Sequence, residues 1–255
     1  MRDPYLYPDS EVLKNLSDIH NMDLLKNMEA DYTAFRLTEI VAEDAERKYD
    51  FMTLCNMHYQ IFQDIYEWAG KPRLINIEKA EIVLGEISIE YSDCFGIVKD
   101  AEYVLDEMNR YDWQNASFEN VVRRFSDYMA KLWRVHPYRE GNTRTIVTFC
   151  CMFIESQGIY IESNLFKDNA SYMRSALVAA NAVFHDLGDL RKPEYLYRIV
   201  QDALERGNEM SNRVEDYIRK AELPVTGENI RKVVFWNRKE QKEHSVEEIR
   251  NYLRK

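Results

Sequence analysis

The chain has 255 residues, 45% of them hydrophobic, and a formal net charge of −10. That apolar share builds a packed core and excludes a disordered chain. The acidic balance opposes the phosphate backbone, so nucleic acid is not an expected partner. The chain opens MRDPYLYPDSE, without a basic-then-apolar signal pattern, and its longest apolar run, 146–154, is too short to span a bilayer. A cytoplasmic protein away from the membrane is expected. Cys55, Cys94, Cys150 and Cys151 form no CxxC pair and read as reduced thiols.

Only eight glycines and six prolines interrupt the chain, which predicts long helices and an all-α fold. Residues 9–20 and 22–48 carry helix-period apolar positions. In the second stretch these are Leu24, Leu25, Met28, Tyr32, Phe35, Leu37, Ile40 and Val41. A helix over about 50–68 stops at Ala69-Gly70-Lys71-Pro72, since glycine and proline end helices. From Leu74 to Tyr91 apolar and polar residues alternate around Gly85, which predicts a β-hairpin that leans on the helices or serves as a flap. Helices follow at about 97–111 and from the N-cap candidate Ser117 to the residue before His136-Pro137. A further helix from Asn142 to near Gly158 is apolar almost all round and should be central. Helices at about 168–185 and 193–222, a short strand at 232–236 and a helix from Ser245 complete the prediction.

The segment His136-Pro137-Tyr138-Arg139-Glu140-Gly141-Asn142-Thr143-Arg144 connects two apolar helices. A helix N-terminus offers unpaired amides and partial positive charge, and a Gly-Asn turn leading into it makes an anion nest. Arg144 in the first turn adds a planar cation suited to phosphate oxygens. Glu140, just before the nest, is placed to hold a Mg²⁺ that bridges phosphates. His136 is the general-base candidate, with an ordinary pKa near ~6.5. These residues point to nucleotidyl or phosphoryl transfer, beside the bland alternative of a polar helix–helix turn.

The segment resembles the Fic family signature, H-P-F-x-[D/E]-G-N-G-R-x-x-R, through His136 to Val147. The stretch Tyr7-Pro8-Asp9-Ser10-Glu11-Val12-Leu13-Lys14-Asn15 looks like a Fic opening. Met57-His58, Ile61-Phe62 and Ile65-Tyr66-Glu67-Trp68-Ala69-Gly70-Lys71-Pro72-Arg73 look like the family's segment before its flap. The resemblance implies a Fic domain over 1–200, all-helical with a single β-hairpin flap at about 73–91 and the motif at 136–147. A C-terminal helix at 201–226 and a tail of unassigned role at 227–255 follow.

The function so implied is transfer of AMP from ATP, with Mg²⁺, to a Tyr, Ser or Thr hydroxyl of a protein, itself included. His136 would be the base, Glu140 the metal ligand, Gly141, Asn142 and Thr143 the phosphate cradle, and Arg144 the charge-neutralising cation. Lys79 on the flap would touch nucleotide or target, and the flap would register the target by strand-like pairing. Tyr172 and Asn181 are candidates for the base pocket, beside core or surface roles.

Three positions depart from the family pattern. Tyr138 keeps the aromatic body, Thr143 adds a Cβ to the nest, and Val147 replaces the last Arg, which in the family contacts the outermost phosphate and pairs with an inhibitory Glu. The nearest match to the inhibitory [S/T]-x-x-x-E-[G/N] pattern is Ser211 to Asp216, with Glu215 as its carboxylate. An ordinary surface helix is the alternative there, and a separate small antitoxin is a further partner in view. A Doc-like phosphotransferase, a nucleotide-binding regulator without turnover and a purely structural helical protein are the rival readings.

Overall fold

A computed structural model describes residues 3–41 and 48–254. Residues 42–47 of the predicted 22–48 helix, and the side chain of Val41, lie outside the described residues. The described residues hold ten α-helices and one two-stranded antiparallel hairpin.

The first segment, predicted helical over 9–20, is instead an irregular loop. Pro8 and Asp9, the latter at φ 56°, turn the chain so that Leu6 bridges Leu13. The Asn15 side chain then ties down the backbone of Leu13 and Ile19. Local backbone competition by Pro, Asp and Asn outweighs the apolar period here.

Helix α1 (Met22–Val41) follows. Its buried face carries Leu25, Glu29, Thr33 and Ile40, whereas Leu24, Tyr32 and Phe35 of the predicted stripe are exposed. The two polar residues of that face, Glu29 and Thr33, accept hydrogen bonds from the Arg144 guanidinium. Helix α2 (Phe51–Phe62) starts where the Asp50 carboxylate accepts from the Thr53 amide. Beyond α2 the chain continues in turns to Gly70.

The predicted hairpin at 74–91 forms no ladder. A single antiparallel bridge, Glu81 to Ile87, closes a 3-10 turn at Ile82–Leu84 whose Gly85 adopts φ 65°. Leu74, Ile82, Val83 and Ile87 are exposed, so the alternating residues have no sheet to lie on. The flap is an ordered loop held by side chains. The regular hairpin lies later, as β1 (Val183–Phe184) and β2 (Gly188–Asp189), with Val183 opposite Asp189 and Phe184 opposite Gly188. It replaces the end of the predicted 168–185 helix, of which α7 (Ala170–Ala180) is the helical part, after a separate short α6 (Asn164–Asp168).

Helices α3 (Ile97–Arg110), α4 (Phe118–Val135) and α5 (Asn142–Ser156) match the predicted spans. Ser117 caps α4 by accepting from the Asn120 amide. In α5, Ile146, Phe149, Cys150, Phe153 and Ile154 are fully buried, and the helix packs on α2 and α4 at the centre of the main core.

Helix α8 (Glu194–Lys220) runs unbroken through position 200. Its second half carries Val214 and Ile218 into a smaller core with α9 (Gly227–Glu240) and α10 (Val246–Leu253). The strand predicted at 232–236 is part of α9. Thr226 caps that helix, and Val233 and Val234 bury toward α8, so packing overrides β-branched propensity. Ser245 and Glu248 form a reciprocal capping box at the start of α10.

Candidate active site

Helix α4 ends on His136, whose backbone adopts φ 50° and ψ 59° while its N–H donates to the Trp133 carbonyl. A left-handed residue before proline is disfavoured, and neighbouring groups must hold it. Arg73 does so: its Nε donates to the His136 carbonyl at 2.9 Å and its amide to the Pro137 carbonyl at 2.7 Å. The same guanidinium donates to the Ile75 and Ser92 carbonyls, so one buried side chain joins both limbs of the flap to the end of α4.

The His136 ring is buried, and neither ring nitrogen has a hydrogen-bond partner. Trp133 meets it edge-on, and Tyr91 lies tilted over it with centroids 4.0 Å apart. Burial, and then the charges of Lys79, Arg174 and Arg73, hold its pKa well below the ordinary imidazole value. The ring is therefore a neutral proton acceptor at neutral pH.

Gly141 is the N-cap of α5 at φ 82°, and a Cβ there would stand 2.3 Å from the Phe62 ring. Only glycine fits both the angle and the space. The Thr145 amide is the first to close an intrahelical bond, to the Gly141 carbonyl, which leaves the preceding amides as the nest. The Asn142 side chain is spent on the Tyr138 backbone, accepting from its N–H at 2.9 Å and donating to its C=O at 2.7 Å. It shapes the loop and offers the nest its main-chain amide. The Thr143 hydroxyl accepts from the buried Trp133 indole at 2.9 Å, which gives the extra Cβ a structural use.

Glu140 turns one carboxylate oxygen to the Gly141 amide and the other to Lys79, at 2.9 Å. Desolvation works to raise its pKa, but Lys79 and the amide outweigh it and leave the carboxyl at about 2. Its backbone carbonyl is fixed by His58, a buried ring stacked on Tyr138 and Phe62. The Gly70 amide donates to His58 Nδ1, so the proton sits on Nε2 and points at the Glu140 carbonyl, 3.0 Å away.

Arg144 donates to Glu29 at 2.6 Å and to Thr33 at 3.0 Å, with its guanidinium over the Phe62 ring. Glu29 also accepts from the Tyr66 hydroxyl. Lys79, His136, Glu140 to Arg144, Ala170 and Arg174 line one cavity of about 210 Å³. An apolar groove of about 840 Å³ lies between the flap tip and α7, lined by Leu84, Ala176, Phe184 and Tyr172.

The cavity thus gathers Lys79 and the whole motif set. Ser211 and Glu215 stand apart from it on α8, where Ser211 donates to the Asn208 carbonyl and Glu215 pairs with Arg219. Asn181 is buried and bonds the Ala130 and Leu177 carbonyls, while Tyr172 reaches the Tyr195 carbonyl and lines the groove. Sequence reasoning passed over Glu29, Thr33, Tyr91 and Arg174 as site residues, and named His58 and Arg73 only as part of the segment before the flap, with no role for either. Their one visible signal is polar residues on otherwise buried faces, Glu29 and Thr33 one turn apart and His58 amid the apolar side of α2.

Comparison with known proteins places residues 48–154 within a match to the Fic/DOC family. Protein adenylyltransferase VbhT of Bartonella schoenbuchensis is 29% identical over 161 residues, which is 63% of this chain and 32% of that protein. The probable protein adenylyltransferase y4lH of Sinorhizobium fredii is 28% identical over 173 residues, 64% of this chain and 81% of that one. The chain therefore spans about a third of the first relative's length and most of the second's. Among solved structures, BepC of Bartonella tribocorum with bound AMPPNP superposes with a TM-score of 0.63 at 18% identity, over 78% of this chain and 95% of that one.

Proposed function

We propose that this chain, which carries a Fic/DOC-family domain over residues 48–154, transfers the AMP of ATP onto a Tyr, Ser or Thr hydroxyl of a protein, its own included. The observation that carries this reading is the shared cavity, in which a neutral buried imidazole, an ionised carboxylate and a helix-terminal anion nest face one another.

A hydroxyl entering beside His136 gives its proton to the ring as its oxygen attacks the phosphorus that bears the sugar. The bond to the next phosphate breaks and pyrophosphate leaves. The α5 amides and Arg144 meet the charge that develops on the phosphate oxygens. Glu140 suits a Mg²⁺ held by one protein carboxylate and the substrate phosphates, and no cluster of three or more ligating side chains occurs among the described residues. Bound there, Mg²⁺ would neutralise phosphate charge. Lys79 already pairs with one oxygen of that carboxylate, at 2.9 Å, and holds the flap over it. The apolar groove contiguous with α7 suits the adenine ring, with Tyr172 on its wall. Tyr91 covers His136, so the flap must shift for a target hydroxyl to arrive.

The test is incubation with labelled ATP and Mg²⁺, followed by intact-mass analysis of the labelled proteins. An AMP increment made by wild type and lost in His136→Ala supports the reading. Equal labelling by both forms rules it out, and a phosphate increment favours phosphotransfer instead.

A further inference from the structure

Three cations line the catalytic cavity, and each rests on a carboxylate: Lys79 on Glu140, Arg144 on Glu29, Arg174 on Glu81. They differ in how firmly they are held. Arg144 makes two hydrogen bonds, and Glu29 is itself fixed by the Tyr66 hydroxyl. Lys79 guards the carboxylate that the proposed metal needs. Arg174, on α7, makes one side-chain hydrogen bond among the described residues, Nη2 to Glu81 at 2.7 Å, and its side chain is 37% exposed. Glu81 keeps a second partner, the Tyr91 hydroxyl, at 3.3 Å. Val147, one turn along α5 from the nest, supplies no charge.

Resting on the adenylyl-transfer reading, we propose that Arg174 is a further catalytic residue, which swings from Glu81 onto the β,γ-phosphates of ATP. The move exchanges one ion pair for contact with a group of higher charge, and an Arg fork suits phosphate oxygens. The reaction needs it there. As the hydroxyl oxygen bonds to the α-phosphorus and the α–β bridging bond breaks, negative charge accumulates on the leaving pyrophosphate. Arg174 is held by one hydrogen bond where Arg144 makes two, and unlike Lys79 it leaves Glu140 untouched, so it is the cation we assign to that charge.

The test uses the full chain as wild type, Arg174→Ala, Arg174→Lys and Glu81→Gln. Calorimetry measures ATP–Mg²⁺ and AMP affinity, and single-turnover assays measure transfer. Arg174→Ala is expected to weaken ATP at least tenfold, to leave AMP within twofold, and to slow transfer by ten- to a hundredfold. Arg174→Lys falls between, and Glu81→Gln binds ATP as well as wild type or better.

Unchanged ATP affinity and transfer in Arg174→Ala overturns the proposal. An equal loss for ATP and AMP, which would mean general damage to the pocket, also overturns it. A Glu81→Gln variant that copies the Arg174→Ala defect overturns it too, since Arg174 would then merely anchor the flap. If wild type binds ATP but transfers no AMP, the parent reading fails, while the ATP-to-AMP affinity ratio still decides whether Arg174 grips the outer phosphates.

Discussion

His58 and His136 both lie buried and neutral near the motif, but they use that neutrality differently. His136 keeps its nitrogens unpaired and so can accept a proton. His58 spends both nitrogens on the backbone of Gly70 and Glu140, and protonation would set an N–H against the Gly70 amide. Burial lowers its pKa to about 4 against the attraction of Glu140. A histidine with a depressed folded-state value binds its proton more readily when unfolded. Its stabilising contribution is therefore complete above about pH 6.5 and is lost as pH falls from there through 4, a change on the order of 3 kcal/mol. His58→Gln keeps a donor and an acceptor and cannot titrate. Chemical denaturation between pH 7 and 4 should show a shallower acid loss in that variant than in wild type. Parallel curves would mean that His58 does not carry this dependence.

Among the elements, the flap differs most from its sequence pattern. It lacks a ladder, and its order comes from side chains reaching in: Arg73 at its base, Lys79 on Glu140, Glu81 on Arg174. Arg73 is the central tie, a buried guanidinium whose hydrogen bonds run to the His136, Ile75 and Ser92 carbonyls. Lysine cannot reproduce a planar fork. Arg73→Lys should cost about 3 kcal/mol in thermal or denaturant unfolding, as charged hydrogen bonds are lost inside the protein. It should also loosen His136, so AMP transfer falls more than nucleotide affinity does. A variant with wild-type melting and wild-type transfer would remove Arg73 from this role.

At the scale of the whole molecule, the described residues contain no helix long and apolar enough to cross a membrane. Two cores stand side by side, the main one around α5 and a smaller one where α8 meets α9 and α10. They are joined by a buried ion pair, Glu155 of α5 with Arg238 of α9 at 2.6 Å, and Arg238 also donates to the Ile161 carbonyl. Removing one partner strands the other charge, so Arg238→Ala should destabilise the protein by about 3 kcal/mol or more. Unfolding followed by tryptophan fluorescence, with Trp133 in the main core and Trp236 against the smaller one, would register that loss. No change in midpoint would mean the second core stands without this tie. The sequence by itself determined what is local. The spans of α3, α4 and α5 and the caps at Ser117 and Ser245 follow from neighbours a few residues apart, as do the apolar girth of α5 and the clustering of His136, Glu140 and Arg144. The tertiary structure alone decided the partners of the three cavity cations. Lys79 finds Glu140 across 61 residues, Arg174 finds Glu81 across 93, and Arg144 finds Glu29 across 115. Such pairs form only when separate helices and the flap close on one point, and no local period in the chain records that closure.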